Sequence, residues 1–143
     1  MKYYLGIDVG TGSARAGLFD ENGALLATAK HDIKMHHPHT GWAEQSTADI
    51  WQAVCHAVRQ TLTAAALPGD AVTAIGFDAT CSLALADSDF QPLALNDSGC
   101  DVIVWMDQRA VHEAAACSAT GAEPLHYVGG TMSPEMQMPK LLW

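Results

Sequence analysis

Tyr3-Tyr4-Leu5-Gly6-Ile7-Asp8-Val9-Gly10-Thr11-Gly12-Ser13 is the stretch from which the fold of this chain can be read. A short apolar run ends in a single carboxylate, and Gly-Thr-Gly-Ser and then Arg15 follow at once. The pattern predicts a buried strand that delivers Asp8 to its exposed end. The glycine turn after it lets backbone amides and small hydroxyls come close to an anion. A nucleotide phosphate with its magnesium ion suits such a device, since hard cations take carboxylate oxygen and phosphate takes N–H and hydroxyl donors. A plain strand–turn–strand, with Asp8 opening an Asx turn, is the other reading of the same residues. Enzymes that use an aspartyl nucleophile on phosphate carry a second carboxylate two residues on, and here that position is Gly10. The stretch is therefore read as holding phosphate, not as forming an aspartyl-phosphate.

Outward from this stretch, composition sets the bounds. The 143 residues are one domain's worth of chain, 49% hydrophobic and 16% charged, which is enough to bury a core and carries no signature of disorder. A net charge of -9, from 7 basic and 16 acidic residues, argues against nucleic acid or an anionic membrane as the main partner. No targeting segment or membrane-length apolar run is present, so the default expectation is a cytoplasmic protein. Cys55, Cys81, Cys100 and Cys117 are widely spaced and are read as free thiols packed as small hydrophobes. Pro139-Lys140-Leu141-Leu142-Trp143 reads as the opening of an amphipathic helix, which suggests a piece of a longer protein.

After Ser13 an alternating run reaches Asp20, and Asn22-Gly23 separates it from Ala24-Leu25-Leu26-Ala27. Asn-Gly between apolar runs predicts a type I′ hairpin, so the first three strands form an antiparallel meander. His31, His36, His37 and His39 lack carboxylate or cysteine company and read as a solvated loop, not a metal site. Gly41-Trp42-Ala43-Glu44-Gln45 is a short extended stretch, followed by a capping box at Ser46 and Asp49. Trp51, Val54, Val58, Leu62 and Ala65 then recur at the spacing of a packing helix that ends before Leu67-Pro68-Gly69.

Val72 to Phe77 is a second buried-strand pattern ending in a carboxylate, Asp78-Ala79-Thr80-Cys81-Ser82, and a further strand is expected at Leu83 to Ala86. Strand ends of this kind line a pocket for a polyhydroxylated ligand, because open α/β sheets bind outside the carboxyl ends of their strands. Alternatively they are plain turns. Val102-Ile103-Val104-Trp105 is a third buried run, leading to Met106-Asp107-Gln108-Arg109. There Asp107 either caps the Ala-rich helix that follows or, with Arg109, binds hydroxyls while Trp105 faces a sugar's C–H surface. Gly129-Gly130-Thr131-Met132-Ser133-Pro134-Glu135 is a loop into the final helix.

Taken in order, Asp-x-Gly-Thr-x-Ser-x-Arg, the Asn-Gly hairpin, Trp-Ala-Glu-Gln before a helix, and strands ending in Asp78 and Trp105 resemble the N-terminal part of the FGGY family of carbohydrate kinases. The resemblance runs from Tyr4 to Trp143. Gly76-Phe77-Asp78-Ala79-Thr80-Cys81-Ser82, Trp-Met-Asp-Gln-Arg and Gly-Gly-x-x-Ser-Pro-Glu look like the D-ribulokinase branch. It implies an actin/hexokinase-like (ribonuclease H-like) α/β fold, with a mixed sheet flanked by helices. Residues 1–143 would be the N-terminal portion of domain I, without the rest of that domain or the ATP-binding domain.

The activity implied is ATP-dependent phosphorylation of a ketopentose such as D-ribulose, or a related polyol, with Mg²⁺. By position, Asp8 is the carboxylate near the metal, directly or through water, and Arg15 lies near the transferred phosphate. Gly10, Thr11, Gly12 and Ser13 form the phosphate turn. Asp78, Thr80, Cys81, Trp105, Asp107 and Glu135 lie at or near the sugar. The family's general base, an aspartate well downstream, is not in this chain, so the isolated piece is expected to be inactive. The resemblance also implies a homodimer. Two other readings remain: an ATPase of the same superfamily, which shares the first turn but not the Trp105–Arg109 segment, and a non-catalytic sugar sensor.

Overall fold

The computed structural model describes residues 1–143 throughout. The chain divides into two compact units, Met1–Lys34 with Ser46–Thr80, and Met35–Gln45 with Cys81–Trp143.

The first unit is built on β1 (Tyr3–Val9), β2 (Ser13–Asp20), β3 (Leu25–Asp32) and β5 (Val72–Ala79), with helix α1 (Thr47–Ala64). Sheet order is β3-β2-β1-β5; the first three strands form the expected antiparallel meander, and β5 pairs parallel to β1. Alternation sorts the strands. Leu5 and Ile7 of β1 and Ala14, Ala16 and Leu18 of β2 are buried on one face, and Gly6, Asp8, Arg15, Gly17 and Phe19 take the other.

Helix α1 covers the buried face through Ala53, Val54 and Ala57, so small residues on both elements allow close approach. Thr61 Oγ1 donates to the Ala57 carbonyl at 2.9 Å and the Ala16 carbonyl at 3.1 Å, tying the helix to β2 without leaving its hydroxyl unpaired. Burial of Leu5, Ile7 and Leu18 contributes on the order of 1.5–3 kcal/mol each.

Four local expectations are corrected here. The Asn22-Gly23 turn is not type I′, because only Gly23 has positive φ (81°). Asp20 Oδ1 accepts the Asn22 and Ala24 amides at 2.8 and 2.9 Å, and Phe19 pairs with Leu25, skipping Leu26; this is a type I turn with a bulge. The capping box does not form. Ser46 makes no side-chain cap, and Asp49 Oδ2 instead accepts the Lys34 amide at 2.8 Å. Trp51 of α1 is 61% exposed, not packed. The Val72–Phe77 pattern is also not buried: β5 is the sheet's edge, with one neighbouring strand, and Ile75 and Phe77 are exposed on the face where Trp51 lies.

The second unit has little regular structure. Its sheet is β4 (Glu44–Gln45), β7 (Val102–Ile103) and β6 (Leu83–Ala84), in the order β4-β7-β6 and antiparallel. The strand expected at Leu83–Ala86 stops at Ala84, and Ala86 makes only an isolated bridge to Pro92. Helices α2 (Val111–Ala119) and α3 (Gln137–Leu142) complete it, with a 3-10 turn at Glu123–Val128 closed by Gly129 at φ 84°. Val102, Ile103 and Val104 are buried as predicted. Two-residue strands cannot hold this unit by their ladders alone, so side chains carry much of the bonding.

Candidate functional site

On the first unit, the pairing register places Arg15 of β2 opposite Asp8 of β1, and Asp8 opposite Asp78 of β5. Three charged residues thus form a row across three strands, on the face away from α1. Arg15 Nη1 meets Asp8 Oδ2 at 2.8 Å, and both side chains are about half exposed (55% and 52%). Asp78 Oδ1 accepts the Ala79 amide at 3.0 Å, and the Thr80 amide donates to the Val9 carbonyl at 3.0 Å.

Directly behind the charged row lies a second row in register, Gly17–Gly6–Gly76. A Cβ on Gly17 would come within 3.1 Å of the Phe19 ring, so glycine is what lets Phe19 lie across the sheet. The result is a hollow of about 330 Å³, floored by Gly6 and Gly17 and walled by Phe19, Leu25 and Thr28, with Asp8 and Arg15 at its rim.

The turn between β1 and β2 is more selective than its sequence suggests. The Gly10 amide is bonded to the Ser13 carbonyl at 3.0 Å, and Ser13 is 4% exposed. The exposed tip is Gly12, beside a half-buried Thr11. No atom lies within 4 Å of where a Cβ on Gly12 would stand, so the open side of the turn faces free space.

The second unit holds Cys81, Trp105, Asp107 and Glu135. Asp107 does not cap α2, whose N-cap is Ala110. Its carboxylate is fully buried and saturated. Oδ1 accepts the Arg109 amide and Nε, both at 2.9 Å; Oδ2 accepts Arg109 Nη2 at 2.9 Å and the Ala43 amide at 2.6 Å. Arg109 Nη2 also reaches Glu44 Oε1 at 2.8 Å, and Glu44 in turn accepts from Asn96 Nδ2. The guanidinium lies 4.1 Å from the Trp42 ring centroid and 4.9 Å from that of Trp143.

Burial acts to raise the Asp107 carboxyl, but the bonds from Arg109 and Ala43 outweigh it and hold it below the usual carboxylate range. Arg109 shows the mirror case. Burial acts to lower its pKa, and the hydrogen bonds to Asp107 and Glu44 carry it above its ordinary value. The Asp107 carboxylate therefore has no open face for a sugar hydroxyl and holds the loop instead, while Arg109 keeps one buried nitrogen, Nη1, without a hydrogen-bond partner.

Trp105 is 38% exposed, Cys81 is exposed and Glu135 is half-buried, receiving Gln108 Nε2 at 3.3 Å. A hollow of about 400 Å³ opens among His37, Trp42, Met106, Gln108 and Glu135. His39 packs edge-on against Trp42, and His31 stacks on His56 with centroids 4.6 Å apart. Sequence reasoning missed the Glu44–Arg109–Asp107 network and the burial of Lys140. An acidic residue inside the apolar Gly41–Gln45 stretch was the one available signal.

Over residues 3–143 the chain matches the FGGY family of carbohydrate kinases, N-terminal domain. It is 47% identical over 145 residues to an FGGY carbohydrate kinase domain-containing protein of Homo sapiens, an alignment covering 99% of this chain and 26% of that protein. To a D-ribulokinase of Saccharomyces cerevisiae it is 41% identical over 149 residues, covering 99% of this chain and 21% of the relative. Among solved structures, a ligand-bound xylulose kinase from Lactobacillus acidophilus superposes with a TM-score of 0.83 at 27% identity, covering 100% of this chain and 28% of that one. The chain thus spans about a quarter of the length of the curated relatives it matches. With the mixed sheet, these likenesses identify the actin/hexokinase-like α/β fold.

Proposed function

We propose, because this chain belongs to the FGGY family of carbohydrate kinases through its N-terminal domain, that the protein carrying it transfers the γ-phosphoryl of ATP to a hydroxyl of a ketopentose, D-ribulose first among them, or of a related polyol. The chain is read as the N-terminal portion of domain I of a longer, two-domain enzyme that works in the cytoplasm as a homodimer. The observation that carries the reading is the solvent-facing Arg15–Asp8 pair, in register with Asp78 at the strand ends beside the Gly10–Ser13 turn.

In this reading Arg15 faces the phosphoryl group in transit and the Thr11–Gly12 tip admits the phosphates. The donor set suits Mg²⁺, since Asp8 is an exposed carboxylate with Asp78 one strand away, and Asp8 holds the ion directly or through water. Bound there, magnesium supplies charge neutralisation for the phosphates. Phosphoryl transfer needs mainly positioning and electrostatic stabilisation, and a charged row on a rigid sheet provides both. The register favours Asp78 serving with Asp8; Thr80 is assigned to the acceptor by resemblance. On the second unit, Cys81, Trp105 and Glu135 form the acceptor wall, and Asp107 stands behind it as a positioning group.

The test is ADP release by the complete polypeptide across pentuloses, pentitols and glycerol. Mg²⁺-dependent turnover with D-ribulose supports the reading. Turnover only with another polyol overturns the choice of sugar, and ATP hydrolysis indifferent to every acceptor overturns the kinase.

A further inference from the structure

Helix α3 contributes two side chains to backbone that the acceptor wall depends on. Gln137 Nε2 donates to the Cys81 carbonyl at 2.8 Å. Three residues on, Lys140 Nζ donates to the Val104 carbonyl at 2.9 Å and the Trp105 carbonyl at 2.7 Å. Residues spaced by three share a helix face, so one face of α3 grips both backbone segments.

Lys140 is an unusual residue to find here. Only 3% of it is exposed, although lysine ordinarily carries its ammonium out to water along a flexible stem. A buried ammonium is costly unless its donors are used. Lys140 spends them on two consecutive peptide carbonyls, although Asp107 and Glu135 are near enough to act on its charge. Burial lowers its pKa all the same. The Trp105 peptide is held from its other side too, with its amide donating to Ser82 Oγ at 3.2 Å.

Trp105 sits just past β7, where Val104 is fully buried and the chain turns outward. The carbonyl of the Val104–Trp105 peptide also accepts the Asp107 amide at 2.9 Å, and the lysine and the serine add their bonds to this hold. We propose that Lys140, supported by Gln137, is a positioning residue for the phosphoryl acceptor, setting the Trp105 and Cys81 segments at the spacing the sugar requires. This rests on reading the second unit as the acceptor wall. Neither side chain needs to touch the sugar.

The experiment is steady-state kinetics of the complete polypeptide, with D-ribulose and ATP varied separately, for wild type, Lys140→Met and Gln137→Ala. Methionine keeps the length of the stem and removes the donors. Gln137 is exposed, so its alanine variant tests the same grip without a buried substitution. A misplacement of about 1 Å costs up to a hundredfold in enzyme sites. We expect acceptor KM to rise about tenfold in Lys140→Met and about threefold in Gln137→Ala, with KM for ATP within about twofold of wild type.

An acceptor KM at the wild-type value in both variants overturns the proposal while leaving the kinase standing. So does an equal rise in both KM values accompanied by a fall in melting temperature, which marks a purely structural lysine. A wild-type protein that phosphorylates no acceptor overturns the kinase reading, and the positioning role with it.

Discussion

Each of the two units carries an ion pair of the same length. Arg15 meets Asp8 at 2.8 Å with both side chains about half exposed, and Arg109 meets Glu44 at 2.8 Å with neither exposed at all. Distance does not separate them; surroundings do. Water competes for the first pair, which contributes little to stability and can part when a better partner arrives. The second pair is enclosed by Trp42 and Trp143 and shares Arg109 with Asp107, so its charges cannot be separated without leaving one buried and unmatched. Two carboxylate–arginine pairs of the same length are thus open to solvent in one unit and closed in the other.

This contrast can be broken by mutation. Arg109→Leu leaves two buried carboxylates unpaired, and the expected loss is about 3–5 kcal/mol in urea unfolding. A loss under about 1 kcal/mol would mean that the network is as replaceable as a surface pair. Asp8→Ala reverses the pattern: folding stability changes by less than about 1 kcal/mol, whereas kcat of the complete polypeptide falls by about 10²–10³. Near-normal turnover in that variant would remove Asp8 from the phosphate site.

Asp107 sharpens the comparison through pH. Its folded pKa lies below the ordinary 3.8, so its contribution to stability is fully present above that value and is lost as pH falls through the lowered folded pKa. Melting temperature should drop steeply below about pH 4, and Asp107→Asn should lack that added slope. The smallest effect on folding is expected from Gly12→Ala, since the added methyl meets nothing within 4 Å. Stability should move by less than about 0.5 kcal/mol while KM for ATP rises several-fold. An unchanged KM would take the phosphates away from the turn tip.

The elements that sequence made legible are those that local rules decide. Alternation in β1 and β2 and the position of the Asn-Gly turn are properties of a few neighbouring residues, and all hold. Where a competing partner lay elsewhere, the local rule lost. Asp20 took the turn amides and changed the turn type, and the Lys34 amide drew Asp49 from the cap. Asp107 was drawn from its helix by an arginine two residues on, whose other carboxylate, Glu44, is 65 residues away. Apolar sequence also does not report burial. Trp51, Ile75 and Phe77 have the pattern of core residues and are exposed, because β5 has a neighbour on one side only. Of the candidate site, sequence pointed to Gly10–Ser13 as a turn suited to phosphate but could not show that the Gly10 amide is spent on the Ser13 carbonyl.

The open edge of β5 also governs how this polypeptide behaves in a tube. An edge strand that itself carries the exposed Ile75 and Phe77 is a template for whatever extended chain it meets first. Prepared alone, residues 1–143 should therefore bind hydrophobic dyes and associate as concentration rises, in spite of a net charge of -9. A single charged residue at Phe77 is the direct remedy: Phe77→Lys places a gatekeeper on the edge and should keep the chain in solution.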